Sequence, residues 1–368
     1  MSYLQGLILP AKRHPTPGRL ISVAPHSTPV MYKGHIIHDL DPLTEEFIPE
    51  SILHRMSQRE LIEDTLAPLL KGYKPRPLLL FGAAGAGKTS LATDIAEDLA
   101  DESGTLKVAY VNCWVDYSKF RVLYSIVQQI ASPLLIHRKG TPTDELVERL
   151  EHALKTCRCL VILDEVDQLK DKDALYVLAR PSVGLIFIAD TEGALLDASM
   201  RTRSRLGSLR TIGFKAYSVD QLVSILEDRV KHALYPQAIS QEQLRSIAIS
   251  ANGDARRAIE TLRFASEDAQ RNDRDSIGDD DIKQAIPHAR KASDERGISK
   301  LNMHQRVLYA IIQEAKSISS ADLYHRYYEQ IHDPVRVRTL RDYLQKMTFY
   351  GFVHARGTGR WRTYSLAE

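Results

Sequence analysis

At 368 residues and 41.5 kDa the chain is too long for one ordinary core and is expected to divide into two or three domains. Apolar residues make up 43% and charged residues 26%, with a mean hydropathy of −0.26, which excludes wholesale disorder. Net charge is +2, but residues 300–368 hold eleven Lys/Arg against six Asp/Glu and the remainder 38 against 41, so a basic C-terminal unit follows a near-neutral body. No run approaches the roughly 18 apolar residues of a membrane span, and Met1–Pro10 lacks a basic leader, so a cytoplasmic protein without a membrane partner is expected. Cys113, Cys157 and Cys159 lack zinc spacing and read as free thiols of a reducing compartment.

In chain order, Met1–Leu43 carries Pro10, Pro15, Pro17, Pro25, Pro29 and Pro42 and reads as part of an N-terminal arm, residues 1–47, lying extended over a domain surface. Ser57–Leu70 has a helical period that Pro75 and Pro77 end. Short apolar runs at Leu78–Phe81, Val108–Val111, Leu160–Leu163 and Val183–Ile188 then alternate with helical stretches Thr89–Leu99, Arg121–Ile130 and Asp144–Leu154. That alternation predicts an α/β unit over 48–212, a parallel sheet covered by helices. After Thr211–Phe214 the pattern is helical only, at Val219–Ala233, Gln241–Ser250, Arg256–Asp273 and Asp280–Ala285, predicting a helical unit over 213–288. Polar, aperiodic Pro287–Gly297 reads as a linker, set at 289–298, or as a helix crossing between domains. A third unit, 299–368, has helices at Met303–Ala315, Ser320–Glu329 and Arg336–Phe349, then a hairpin from Phe352 to Leu366 turning at Gly357-Thr358-Gly359.

Gly82-Ala83-Ala84-Gly85-Ala86-Gly87-Lys88-Thr89 fits the phosphate-binding pattern G-x-x-x-x-G-K-[ST] between a predicted strand and a predicted helix, with Ser90 following. Its glycines let backbone N–H groups wrap phosphates, Lys88 reaches the outer ones, and Thr89 offers a hydroxyl to Mg²⁺. ATP or ADP with Mg²⁺ is the expected ligand. Leu160–Leu163 runs into Asp164-Glu165, which would sit at the C-terminal edge of the sheet, Asp164 toward Mg²⁺ and Glu165 as the base that polarises water.

These strings resemble the AAA+ initiators of archaeal DNA replication, relatives of origin-recognition and cell-division-control ATPases. The resemblance spans roughly Ile48–Ser365 and is carried further by Tyr110-Val111-Asn112-Cys113, by Leu163-Asp164-Glu165-Val166-Asp167 and by Gly253-Asp254-Ala255-Arg256-Arg257-Ala258. It implies an AAA+ nucleotide-binding domain, a helical lid and a C-terminal winged helix. It also implies an ATPase that binds origin duplex DNA, recruits or loads the replicative helicase, can self-associate on DNA, and is nucleoid-associated in the cell. By position Arg256 matches the second-sensor arginine of the lid, ahead of Arg257. Arg201-Thr202-Arg203-Ser204-Arg205 matches the arginine-finger segment, with Arg205 ahead of Arg201, while Ile48-Pro49-Glu50 and Arg59-Glu60 match a segment flanking the adenine. One position departs from the family pattern, because Asp190 follows the fourth strand where an Asn usually senses the γ-phosphate. An ionised Asp only accepts hydrogen bonds and repels phosphate charge, so slow hydrolysis is expected unless Thr191 takes that place.

In the third unit, Arg336, Arg338, Arg341 and Lys346 lie on or beside a helix whose apolar side carries Val337, Leu340, Leu344 and Met347. The third helix of a winged helix-turn-helix enters the major groove, where Arg forks to guanine. Thr339 and Gln345 are further candidates there. Arg356, Arg360 and Arg362 surround a glycine-bearing hairpin tip suited to phosphate or minor-groove contact. After the second strand, Asp116–Thr141 with Lys119, Arg121, Arg138 and Lys139 matches a second DNA-touching segment of such initiators. A clamp-loader-like remodelling ATPase, or a DNA-binding regulator that keeps nucleotide as a structural ligand, are the alternative readings.

Overall fold

Five short apolar runs become five parallel strands: β1 Leu78–Gly82, β2 Leu106–Asn112, β3 Arg158–Asp164, β4 Val183–Ala189 and β5 Arg210–Phe214, in the order β2-β3-β4-β1-β5. The computed structural model describes residues 36–44, 47, 49, 51–131, 141–349 and 352–366, without the side chains of 293–300, 346, 349 and 360. Successive strand residues point to opposite faces. Cys159, Val161 and Leu163 thus pack under α3 (Lys119–Ile130), α4 (Thr143–Ala153), α5 (Asp173–Leu178) and α6 (Met200–Leu206). Leu160 and Ile162 pack under α1 (Met56–Leu70) and α2 (Lys88–Ser103). Both faces are covered, which explains why the strands read as unbroken apolar runs. The sequence pattern passed over α5 and α6, whose six and seven residues are too few to display a period.

The helical unit comprises α7 (Val219–Ala233), α8 (Gln241–Ser250), α9 (Ala255–Arg271) and α10 (Asp279–Lys300). Ser218 and Ser240 cap α7 and α8 in reciprocal boxes with Gln221 and Gln243, and Asp254 caps α9. Residues 289–298, expected as an aperiodic linker or a crossing helix, lie inside α10, so the linker reading is corrected. Pro287 removes one backbone donor there, and the helix continues past it. The arm also departs from expectation in its described part. Ile36 and Leu43 are 0% and 2% exposed within the core of this unit, Ile37 bridges Leu234, and buried Arg229 donates to the Pro42 carbonyl at 2.9 Å. Two apolar side chains in an otherwise proline-rich stretch are thus an insertion and not a surface covering, while residues 1–35 lie outside the described ones.

The C-terminal unit runs α11 (Met303–Ala315), β6 (Ser317–Ser319), α12 (Ser320–Gln330), α13 (Val337–Phe349), β7 (Val353–Arg356) and β8 (Thr363–Leu366), its antiparallel sheet ordered β6-β8-β7. That order of three helices and a hairpin is a winged helix-turn-helix, with the short strand β6 as an addition to the predicted elements. Its core includes Leu308, Ile312, Leu340, Leu344 and Tyr364.

Candidate nucleotide site and nucleic-acid interface

Because the sheet is parallel, every strand ends on one edge, and the register aligns Gly82 with Phe214, Phe81 with Ala189 and Asn112 with Asp164. The loop Gly82–Thr89 leaves β1 at that edge. Gly82, Gly85 and Gly87 have φ of 147°, 67° and 85°, and a Cβ would fall 2.0 Å from the Phe214 carbonyl at Gly82 and 1.8 Å from Asp254 Oδ1 at Gly85. Only glycine follows this path without strain. Lys88 opens α2 with its side chain 9% exposed, and Nζ donates to the carbonyls of Gly82 and Ala83 at 2.5 and 3.0 Å. Ala83, Ala84, Ala86 and Ser90 complete the loop and the first turn of α2.

Asp164 ends β3, buried, where its Oδ2 accepts from Thr89 Oγ1 and from the Tyr110 hydroxyl, both at 2.8 Å, and its Oδ1 accepts from the Glu165 backbone N–H at 2.8 Å. Burial, and then the charges of Asp164 and Glu165, push the Tyr110 phenol far above its ordinary range, so it stays a donor. Glu165 follows in the left-handed region at φ 53°, which turns it off the strand path, and its Oε2 is buried. Asp190 lies one residue past β4, and its Oδ1 is 3.4 Å from Lys88 Nζ.

Arg55, which sequence reasoning missed, fastens the loop from behind. Only 4% exposed, it donates from Nε to the Ala86 carbonyl at 3.0 Å and from Nη2 to Lys215 at 2.6 Å, with its guanidinium 4.0 Å from the Tyr217 ring centroid. Its one hint in the sequence is its place between the two strings matched to the adenine flank, Ile48-Pro49-Glu50 and Arg59-Glu60. Of that segment Ile48 and Glu50 lie outside the described residues, and Arg59 instead ties α1 to α2 through Asp94 and Asp98, with Glu63 paired to it within α1. The lid meets the loop at α9, where Ala255 N–H donates to the Gly85 carbonyl at 3.3 Å. Arg256 is exposed on the first turn of α9, and Arg257 Nε is buried, 3.8 Å from Asp254 Oδ2. Arg205 sits elsewhere: its Nε donates to Ala179 and its carbonyl accepts from Lys74, both in segments that lead into strand starts. It therefore lies toward the sheet edge opposite the loop. Arg201 and Arg205 both lie 4.2 Å from the Tyr176 ring, and their hydrogen bonds lower the phenol's pKa.

In the C-terminal unit Arg336, Arg338, Arg341, Arg356 and Arg362 are exposed and Thr339 is half-buried, while the side chains of Lys346 and Arg360 lie outside the described ones. Burial raises the Tyr324 phenol, and the nearby charges of Arg341 on α13 and Arg362 beside β8 lower it. The same helix also borders the edge of the five-stranded sheet. Asp342 and Gln345 line a cavity of about 530 Å³ together with Asp167, Lys172, Asp190 and Thr191. Trp114, two residues past β2, packs on the winged-helix core. In the segment 116–141, Lys119 and Arg121 lie at the start of α3, Arg121 over Tyr117, whereas Arg138 and Lys139 are outside the described residues.

Residues 71–192 match the AAA domain family and residues 223–287 the Cdc6 AAA+ ATPase-type lid domain. ORC1-type DNA replication protein 9 of Halobacterium salinarum is 36% identical over 335 residues, covering 90% of this chain and 94% of that protein. The chain belongs to the family of ORC1-type DNA replication proteins. ORC1-type DNA replication protein 1 of the same organism is 39% identical over 309 residues, covering 83% of this chain and all of that one. The structure of the Aeropyrum pernix ORC1 protein in complex with DNA matches with a TM-score of 0.75 at 26% identity, over 90% of this chain and 94% of that one. The Aeropyrum pernix ORC2 protein in its ADPNP-ADP complexes matches at 0.61 and 25%, with the same coverage.

For this ORC1-type chain the residues fit a nucleotide with Mg²⁺. The positive-φ glycines leave a cradle that any Cβ would crowd, Lys88 closes its base, and Thr89 beside Asp164 offers the hard oxygen donors that Mg²⁺ takes from protein alongside phosphate and water. Among the described residues no group of three His, Cys, Asp or Glu side chains suits a tightly caged metal, and no helix is long and apolar enough to cross a membrane.

Proposed function

We propose that this protein is an initiator of DNA replication that binds origin duplex DNA under control of bound nucleotide and hydrolyses ATP slowly. Bound MgATP supplies the γ-phosphoryl group and the divalent charge. The backbone of Gly82–Lys88 and the Lys88 ammonium hold the polyphosphate, Thr89 and Asp164 hold Mg²⁺, and Glu165 accepts a proton from water. Arg256 reads the outer phosphates from the lid. Arg205, set away from its own site, serves the site of a neighbouring copy on DNA, and the replicative helicase is the partner recruited next.

The observation that carries this reading is the sharing of one cavity by the sensor position Asp190-Thr191 and by Asp342 and Gln345 of the DNA-reading helix. While α13 faces the sheet edge, its Gln345 side cannot enter a major groove. On this reading the nucleotide state at the end of β4 bears on α13 through that shared cavity. It also weighs against the clamp-loader alternative, which has no use for a DNA-reading helix coupled to the nucleotide edge.

The test is binding of purified protein to duplex fragments from around its own gene, at two salt concentrations, with ATP and with ADP. Expected is saturable binding to one element that differs between nucleotides, and in Arg338→Ala a loss of about 1–3 kcal/mol on that element with relaxed specificity. Uniform, salt-sensitive binding indifferent to nucleotide would overturn the reading. One observation favours the regulator alternative, namely the Lys88–Asp190 pair, which sets a carboxylate where phosphate charge would come. Asp190→Asn is expected to raise phosphate release about two- to fivefold, the scale of one exposed ion pair. An unchanged or lower rate removes Asp190 as the cause of slow turnover.

A further inference from the structure

Arg55 stands at the N-cap of α1, where its side chain makes no cap hydrogen bond and runs instead to the loop before α2. Helix starts favour Ser, Thr, Asp or Asn at that place, and the dipole of the first turn repels a cation. The Ala86 carbonyl that accepts from Nε stands one residue before Gly87, the N-cap of α2. The cation thus opens one helix and reaches the start of another, both positive ends.

It is also buried, 4% exposed. Its partners are the carbonyls of Ala86 and Lys215 and the rings of Tyr217 and Phe214, whose centroids lie 4.0 and 5.4 Å away. None of these carries a charge, and among the described residues no carboxylate pairs with it. Arg59, one turn further along α1, instead holds Glu63, Asp94 and Asp98. Burying a cation without a counter-charge is unfavourable, and two helix starts make it more so, unless an anion arrives.

The loop backbone shows which anion fits. Across a trans peptide the carbonyl and the N–H point opposite ways, so holding the Ala86 carbonyl toward Arg55 turns the Gly87 N–H away from it. A donor on the carbonyl also polarises that N–H into a stronger donor. The Tyr217 hydroxyl braces the same residue, since a Cβ on Gly87 would fall 2.8 Å from it. Tyr217 is fixed in turn by its N–H, which donates to the Gly253 carbonyl at 3.1 Å.

Resting on the nucleotide-binding reading above, we infer that Arg55 is a positioning residue of the phosphate site: it holds the Ala86–Gly87 peptide with its N–H toward the nucleotide, and the polyphosphate is the counter-charge of the buried guanidinium. Arg55 acts on the nucleotide through this peptide and does not touch it.

The experiment titrates ADP and ATP, each with Mg²⁺, into the full chain by calorimetry for wild type, Arg55→Gln and Arg55→Lys, and records each melting temperature with and without ADP. Gln keeps a donor and loses the charge, whereas Lys keeps the charge. Arg55→Gln is expected to bind both nucleotides about tenfold more weakly and Arg55→Lys to stay within about threefold of wild type. The rise in melting temperature that ADP gives should shrink in Arg55→Gln and persist in Arg55→Lys. Wild-type affinity in Arg55→Gln, or equal losses in the two variants, overturns the inference and leaves Arg55 a structural anchor. Should Arg55→Gln not fold, Arg55→Lys decides, because a loss of about tenfold there overturns the inference and near-normal affinity sustains it. A wild type that binds neither nucleotide overturns the nucleotide reading itself, and the role of Arg55 with it.

Discussion

Lys88 at the nucleotide edge and Arg336 beside α13 are both cations that we assign to phosphate, yet the fold treats them differently. Lys88 is almost buried and held by two carbonyls beside Asp190, and Asp164 below it accepts three hydrogen bonds. Arg336, Arg338 and Arg356 stand exposed. A charge desolvated within a fixed set of partners contributes a large, geometry-dependent increment. A charge in water contributes a small one that salt screens. The nucleotide site is therefore pre-formed and expected to be intolerant of change, and the proposed DNA surface is expected to spread its affinity over many interchangeable contacts.

The sharpest way to break that comparison is Lys88→Ala. Removing the charge from its enclosed place is expected to weaken ATP binding by about 3 kcal/mol or more, roughly a hundredfold, by calorimetric titration. Near-normal binding would mean that the backbone cradle alone holds the phosphates. Tyr110→Phe comes next, deleting one of three donors to Asp164 and costing about 1 kcal/mol in Mg²⁺-dependent nucleotide binding. Its pH signature follows from burial, which raises the folded phenol above its ordinary value of 10.0. Stability from this group is fully present below the unfolded pKa and is lost as pH rises beyond it. Urea melts at pH 9 and pH 11 should show a steeper loss in wild type than in Tyr110→Phe, and equal losses would remove Tyr110 as the cause. Smallest is Arg336→Ala, expected to weaken duplex binding only a few-fold, evenly across sequences, and to lower the salt slope by about one. A sequence-dependent loss would instead make Arg336 a base reader.

The P-loop was legible because phosphate wrapping needs consecutive residues, so the whole device is one string from Gly82 to Thr89. Asp164-Glu165 was legible because a strand that ends in acids places them at a known edge. Arg55 and Tyr110 were not. Their partners are 31 and 54 residues away, and nothing in an isolated arginine or tyrosine says which carbonyl or carboxylate the sheet will bring to it. Among the helices, most announced themselves by period, α10 did so only in its first turns because its second half is polar and aperiodic, and α5 and α6 were too short to do so.

Local chemistry was thus written in the chain: which runs are strands, where glycines must bend, and which residues form the phosphate-binding pattern. Those features depend on backbone hydrogen bonds and spacings within a few residues. The tertiary structure alone decided that Ile36 and Leu43 enter the helical core, that Asp254 meets Gly85, and that α13 shares a cavity with Asp190. Each joins elements far apart in sequence, and apolar burial and packing, which are not specific to sequence distance, select such pairs only when the whole chain has closed on itself.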